Sequence, residues 1–149
     1  MTSSATVHAN DIPMTSIASD ATTSRLWAGR ILSALPTLFL LVDGGMKLFK
    51  PPVVVQSTLE LGYPESAIVG IGVVLLIATI LYVFPRTAVL GAILLTGYLG
   101  GAVATHVRVS GAMFNIVFPV IFGCMLWGGL WLRDNNLRRL ISVSDNTES

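Results

Sequence analysis

Apolar residues fall into four blocks, at residues 26–48, 67–84, 87–105 and 112–132, and the few charges sit at or near the block ends. Each block is roughly 18 to 23 residues long, and at about 1.5 Å per residue a helix of that length covers the ~30 Å hydrocarbon core of a bilayer. Between residues 66 and 105 the only charge is Arg86. Lipid offers the backbone no hydrogen-bond partners, so only helices or closed barrels cross it, and strand-like alternation is absent here. The pattern predicts an all-α, integral membrane four-helix bundle. Pro36 and Pro119 lie inside the first and fourth helices, where the missing amide predicts kinks. Arg30, also within the first helix, can snorkel to the headgroups beside Trp27. Little more than Pro85 and Arg86 joins helices two and three, which makes them a tight antiparallel hairpin, and residues 106–111 link helices three and four. Residues 49–65 form a longer link. Its Pro51-Pro52 start, Val/Leu-rich middle and Gly62 exit predict a short interfacial or re-entrant helix, with a plain surface loop as the alternative.

The flanking segments read differently. Residues 1–24 hold ten Ser or Thr, two Asp and no Lys or Arg, with no helical or strand period, which predicts disorder. No charged start precedes a short apolar run, and the lack of Arg also argues against a transit peptide. The membrane domain is expected over residues 25–134, followed by a polar tail at 135–149. Four crossings place both termini on one side. Arg25, Arg30, Arg86, Arg133, Arg138 and Arg139 fall on that side, against Lys47, Lys50 and Arg108 on the other, so the positive-inside rule makes both termini cytoplasmic.

Composition narrows the classes further. Only 11% of the 149 residues are charged and 53% are hydrophobic, against roughly 25% charged in an average soluble domain. With a mean hydropathy of +0.76, a soluble fold of this size would be left with more apolar surface than its interior hides, so the expected partner is the lipid bilayer. A net charge of +1 gives no footprint for nucleic-acid binding. The single cysteine, Cys124, excludes an intrachain disulfide, a CxxC pair and any multi-cysteine cluster.

On this topology helices one and three both end on the outer face, so Asp43, Lys47 and His106 share a depth. Asp43 and Lys47 are an i, i+4 pair, in which each charge offsets the other's burial. Arg108 closes helix three, Asn115 lies in the first turn of helix four, and Glu60 and Glu65 belong to the long link. Ionisable groups at membrane depth mark function by default, and the bland reading is that these are helix-end residues meeting headgroups and water. Tyr98 and Thr105 share one face leading down from His106, as pocket lining or as packing. Bis-histidine haem needs a second intramembrane His, and the only other is His8. No ligand spacing supports zinc, so no metal is expected, and no nucleotide or serine-hydrolase motif occurs in its proper setting. What remains is a polar outer pocket suited to holding a quinone head group, passing a proton or docking a partner. The third helix also carries a ladder of small residues, Ala88, Ala92, Thr96, Gly100 and Ala104, flanked by Gly97, Gly101 and Thr105, and Gly128-Gly129 forms a notch on the fourth. Such stripes mark helix packing in lipid, within the monomer or in a homo-oligomer, and Gly100→Leu or Gly101→Leu would then be damaging.

The run LVDGGMKLFKPP at residues 41–52, LGYP at 61–64 and GYLGGAVATHVR at 97–108 resembles the DoxX-like family of small four-helix membrane proteins, over about residues 26–141. The matching positions are Gly45, Lys47, Pro51, Gly62, Tyr63, Gly100, Gly101, Thr105, His106 and Arg108. The family takes its name from a subunit associated with archaeal terminal quinol oxidase and thiosulfate:quinone oxidoreductase, and most members are bacterial proteins of undefined activity. The resemblance implies a bacterial inner-membrane protein that serves as an accessory or quinone-interacting component of a respiratory or redox complex rather than a stand-alone enzyme. The alternatives are a non-catalytic scaffold or assembly factor and, with less support, a small transporter, which would need internal repeats or broken helices.

Overall fold

Prolines and left-handed residues decide where the helices stop. The computed structural model describes residues 14–134 and Leu137, with helices α1 Met14–Phe49, α2 Pro52–Glu60, α3 Ala67–Val83, α4 Ala88–Arg108 and α5 Met113–Arg133. Among the described residues there is no strand. Lys50 turns left-handed (φ 48°) directly before Pro51, a position from which proline excludes the right-handed helix, and Pro52 restarts the chain as the first residue of α2. The link between α1 and α3 therefore contains a true helix, not a plain loop. That helix ends in a Schellman motif: Gly62 (φ 81°) donates to the Leu59 carbonyl at 2.8 Å and Tyr63 to the Thr58 carbonyl at 3.2 Å. Ser110 (φ 53°) plays the left-handed part after α4, where the Gly111 amide reaches the His106 carbonyl at 2.8 Å.

Several boundaries differ from the sequence pattern, most of all the start of α1 and the end of α4, which runs to Arg108 rather than residue 105. α1 starts at Met14, so residues 14–24, expected to be disordered, are helical. Their Ser and Thr remove the apolar signal, but no Gly or Pro among them breaks a helix that the following residues already propagate. The rest of the expected disordered segment, and the tail at 135–149 apart from Leu137, lie outside the described residues. α3 ends at Val83 and spans 17 residues, about 25 Å of rise. Three helices are long and apolar enough to cross a membrane, over Thr23–Phe49, Ala88–Arg108 and Met113–Arg133, and α3 is the shorter apolar helix beside them.

α1 packs against α3 and α5, and α4 packs against the same two, so the four long helices close a ring with α2 outside it. Leu40, Leu75, Leu95, Phe122, Leu126 and Leu130 fill the middle. The outer surface is equally apolar: Ile31 and Leu38 on α1, Val74 on α3, Ile93 on α4 and Val120 on α5 are each more than half exposed. Water would not tolerate that surface, and hydrocarbon does.

The ring is drawn tight at the end carrying the α3–α4 turn. Tyr82 is fully buried there; its hydroxyl donates to the Leu126 carbonyl at 2.7 Å and, having one proton, accepts from the Ser33 hydroxyl at 2.9 Å. Arg133 donates to the Tyr82 carbonyl at 3.0 Å, an acceptor left over at the C-terminus of α3, and stacks its guanidinium 4.7 Å from the tyrosine ring. Glycines permit this approach. An added Cβ at Gly91 would overlap the backbone of Tyr82, and one at Gly129 would overlap the Ser33 hydroxyl and stand 2.9 Å from the Gly29 carbonyl. On the α1–α3 seam a Cβ at Gly72 would stand 3.0 Å from the Gly44 carbonyl.

The small-residue ladder of α4 packs only at its start. Ala88 and Ala92 are buried, and Thr96 donates to the Ala92 carbonyl while accepting from the Trp127 indole at 2.9 Å. Gly97, Gly100 and Gly101 are exposed with nothing within 4 Å of an added Cβ, and Ala104 is exposed as well. The packing role expected of these four is not what they do within the chain, because the helices diverge before reaching them.

Candidate functional site

Where the helices diverge, at the end opposite the α3–α4 turn, they enclose a cavity of about 720 Å³. That volume suits a small molecule. α1 contributes Asp43 and Lys47, α4 contributes Tyr98, Thr105 and His106, and α5 contributes Asn115. The i, i+4 spacing sets Lys47 Nζ 2.5 Å from Asp43 Oδ1, with the lysine side chain 16% and the aspartate 32% exposed. Deeper in, Phe39 meets Phe118 and Phe122 edge to face at 5.2 and 5.1 Å between centroids, and those two rings lie 4.3 Å apart, tilted by 40°. All three rings line the cavity, giving it an apolar floor under a polar rim.

The side chains of Tyr98, His106 and Asn115 border the cavity and make no hydrogen bond to any described residue. A Cβ at Gly111 would stand 3.2 Å from His106 Nδ1, so the glycine leaves the imidazole its room. Pro119, also in the lining, lacks the amide that the Asn115 carbonyl would otherwise accept. The rim thus presents a phenol, an imidazole and a carboxamide without partners among the described residues. At membrane depth such groups are costly unless a ligand or water meets them.

Three of the seven polar residues expected at this end, Glu60, Glu65 and Arg108, stand outside the cavity. Glu60 is exposed on α2 and accepts from Gln56 at 3.2 Å. Arg108 donates to the Leu61 carbonyl at 2.6 Å, holding the α2–α3 link onto the end of α4. Thr105 lines the cavity but is engaged: it donates to the Gly101 carbonyl at 2.8 Å, so the hydroxyl of Tyr63, 2.9 Å away, is the donor to it. Tyr63 and Arg108 thus clasp the link over the cavity mouth, and Gly62 lets the clasp close, since a Cβ there would stand 3.2 Å from the guanidinium. Glu65 pairs with Lys50 at 3.4 Å on the surface. Among the described residues no three His, Cys, Asp or Glu side chains gather as a metal site.

Thr58 and the phenylalanine cluster are lining residues that the pattern of charges does not show. Val54 and Thr58 are the buried residues of α2, and with Leu61 their i, i+4, i+7 spacing is the signal that α2 turns one face inward. The aromatic floor has no such signal, because Phe39 comes from one helix and Phe118 and Phe122 from another.

Bilayer-length apolar helices around a ligand-sized chamber define an all-α membrane protein. More narrowly, the chain belongs to the DoxX-like family, whose model matches residues 31–129, from the middle of α1 to near the end of α5. Neither a curated protein nor a solved structure matches it.

Proposed function

We propose that this DoxX-like protein is an accessory, quinone-interacting component of a bacterial membrane redox system, with the cavity as its working site. The observation that carries this reading is the trio Tyr98, His106 and Asn115, without partners among the described residues, above a phenylalanine floor. A ring with oxygen substituents at its edge fits both, its face against Phe39, Phe118 and Phe122 and its oxygens toward the trio. The Asp43–Lys47 pair keeps charge at the rim while offering no net charge to a neutral guest. Purified in mild detergent from its native membrane, the protein is expected to retain extractable quinone, and His106→Ala to weaken decylubiquinone binding about tenfold, the worth of one hydrogen bond to a buried group. Protein that carries no quinone and binds no decylubiquinone overturns the reading.

In this proposal α3 crosses the bilayer with the three longer helices, since it closes the ring between α1 and α4 and its outward side chains are apolar. Residues 25–134 form the membrane domain, the segments before and after it are cytoplasmic, and α2 covers the outer end. Reporter fusions at Ser149 and within residues 56–59 should report opposite sides of the inner membrane. Matching signals would overturn the four-span arrangement.

A scaffold or assembly role is the second reading, favoured by one observation: Gly62, Tyr63, Thr105 and Arg108, four of the ten residues that carry the family resemblance, act in the clasp rather than as free groups. On that reading His106→Ala and Asp43→Asn leave the function of the folded protein unchanged.

A further inference from the structure

Four seams join the ring, and at the level of the cavity three of them are filled by side chains or by touching backbones, with Phe39 in the α1–α5 seam itself 46% exposed. Between α1 and α5 the rings of Phe39, Phe118 and Phe122 interlock. The α1–α3 seam brings Gly72 against the Lys47 side chain and the Gly44 carbonyl, so closely that a Cβ finds no space. Between α4 and α5, Leu99 (7% exposed) and the buried Pro119 form a wall, with the cavity on one side and a separate shallow groove past Gly100, Gly123 and Cys124 on the other.

The α3–α4 seam is different. Gly70 on α3 and Gly97 and Gly101 on α4 all line the cavity, all are exposed, and an added Cβ at any of them meets nothing within 4 Å. Val74, one turn beyond Gly70, lines the same cavity and is 57% exposed, so the cavity wall reaches the outer surface there. Gly97 stands at the middle of α4, which places this seam at hydrocarbon depth. The same two helices are pressed together at their turn by Gly91 against Tyr82. The hairpin is therefore closed at one end and parted at the other, and glycine lines the parted end on both sides.

We infer that the cavity is filled sideways from the bilayer, through a window between α3 and α4 bounded by Gly70, Gly97 and Gly101, and that its guest is a lipid-dissolved molecule whose ring lies at the polar rim while its hydrocarbon tail threads the window. This deepens the quinone reading and rests on it. A side chain in the window obstructs the tail and leaves the ring site intact, and the open space around each glycine lets the helices keep their places.

The test uses the full chain in lipid nanodiscs and two probes, decylubiquinone, which bears a ten-carbon tail, and duroquinone, a fully substituted ring without one. In the Gly97→Leu/Gly101→Leu double variant, decylubiquinone affinity and association rate should each fall about tenfold or more, while duroquinone affinity stays within about twofold. Gly70→Leu, which narrows the window from the opposite helix, should show the same split. Gly100→Leu, facing the separate groove, should leave both probes unaffected, and thermal unfolding confirms that every variant is folded. Unchanged decylubiquinone binding in the folded Gly97→Leu/Gly101→Leu variant overturns the window, as does an equal loss of both probes, which would put the new side chains in the ring site. If the unsubstituted protein binds neither probe, the quinone reading itself fails and the window falls with it.

Discussion

Gly91→Ala is expected to cost about 3 kcal/mol or more, a large share of the ~5–15 kcal/mol that holds a typical fold, and Gly91→Leu to leave no folded protein in the membrane. The methyl group would occupy the space of the Tyr82 amide and Cα and the Leu81 carbonyl carbon. Those are backbone atoms, which no rotamer change moves, so α3 and α4 would have to separate. Separation would in turn disturb the Tyr82 hydroxyl between Ser33 and the Leu126 carbonyl, leaving buried polar groups unpaired. Gly100→Ala and Gly101→Ala should instead shift stability by less than about 1 kcal/mol, in the stabilising direction, because alanine favours a helix over glycine and nothing stands near the new atom. Denaturant or thermal unfolding in detergent micelles compares the three. A Gly91→Ala protein as stable as the Gly100→Ala one would mean that the hairpin is not packed as described.

The second large effect concerns the ion pair. Asp43→Ala removes the partner of an ammonium whose side chain is 16% exposed, and a mostly buried charge left alone costs about 3 kcal/mol. The double replacement Asp43→Leu/Lys47→Met should recover most of that loss, since an apolar pair of similar volume asks for no solvation. Folded yields and unfolding midpoints of the two single variants and the double close the cycle. Effects below about 1 kcal/mol in every variant would place the pair among solvated surface pairs and the rim in open water.

Helices were the legible part of this sequence, and lipid is the reason. A bilayer demands a continuous apolar run for each crossing, so blocks at 67–84 and 87–105 translate into α3 and α4 with shifts of a few residues. The start of α1 was not legible, because Ser and Thr carry neither an apolar period nor a helix-breaking instruction. Part of the cavity lining followed from topology: once helices one and three end on the same face, Asp43, Lys47 and His106 share a level, and the cavity is lined by them with Tyr98 and Asn115. Glu60 and Arg108 share that level too, but depth along an axis says nothing of angle around it, and both face away. The glycines misled for a related reason. A small residue is required where two backbones meet and equally permitted where nothing meets, and Gly91 and Gly101 look alike until the path of the neighbouring helix is known.

Tyr82 has a consequence for the order in which the molecule is put together. Its hydroxyl joins a residue of α1 to a carbonyl of α5, the earliest and latest made of the described helices, through a side chain of α3. The α3–α4 hairpin needs only neighbours in the chain and can settle as soon as both helices are in lipid. The junction at Tyr82 cannot exist until residue 126 has been made. A nascent chain halted before α5 can pair the Ser33 and Tyr82 hydroxyls with each other but leaves one proton of that pair in hydrocarbon without the Leu126 carbonyl, and the arrival of α5 both closes the ring and removes that penalty.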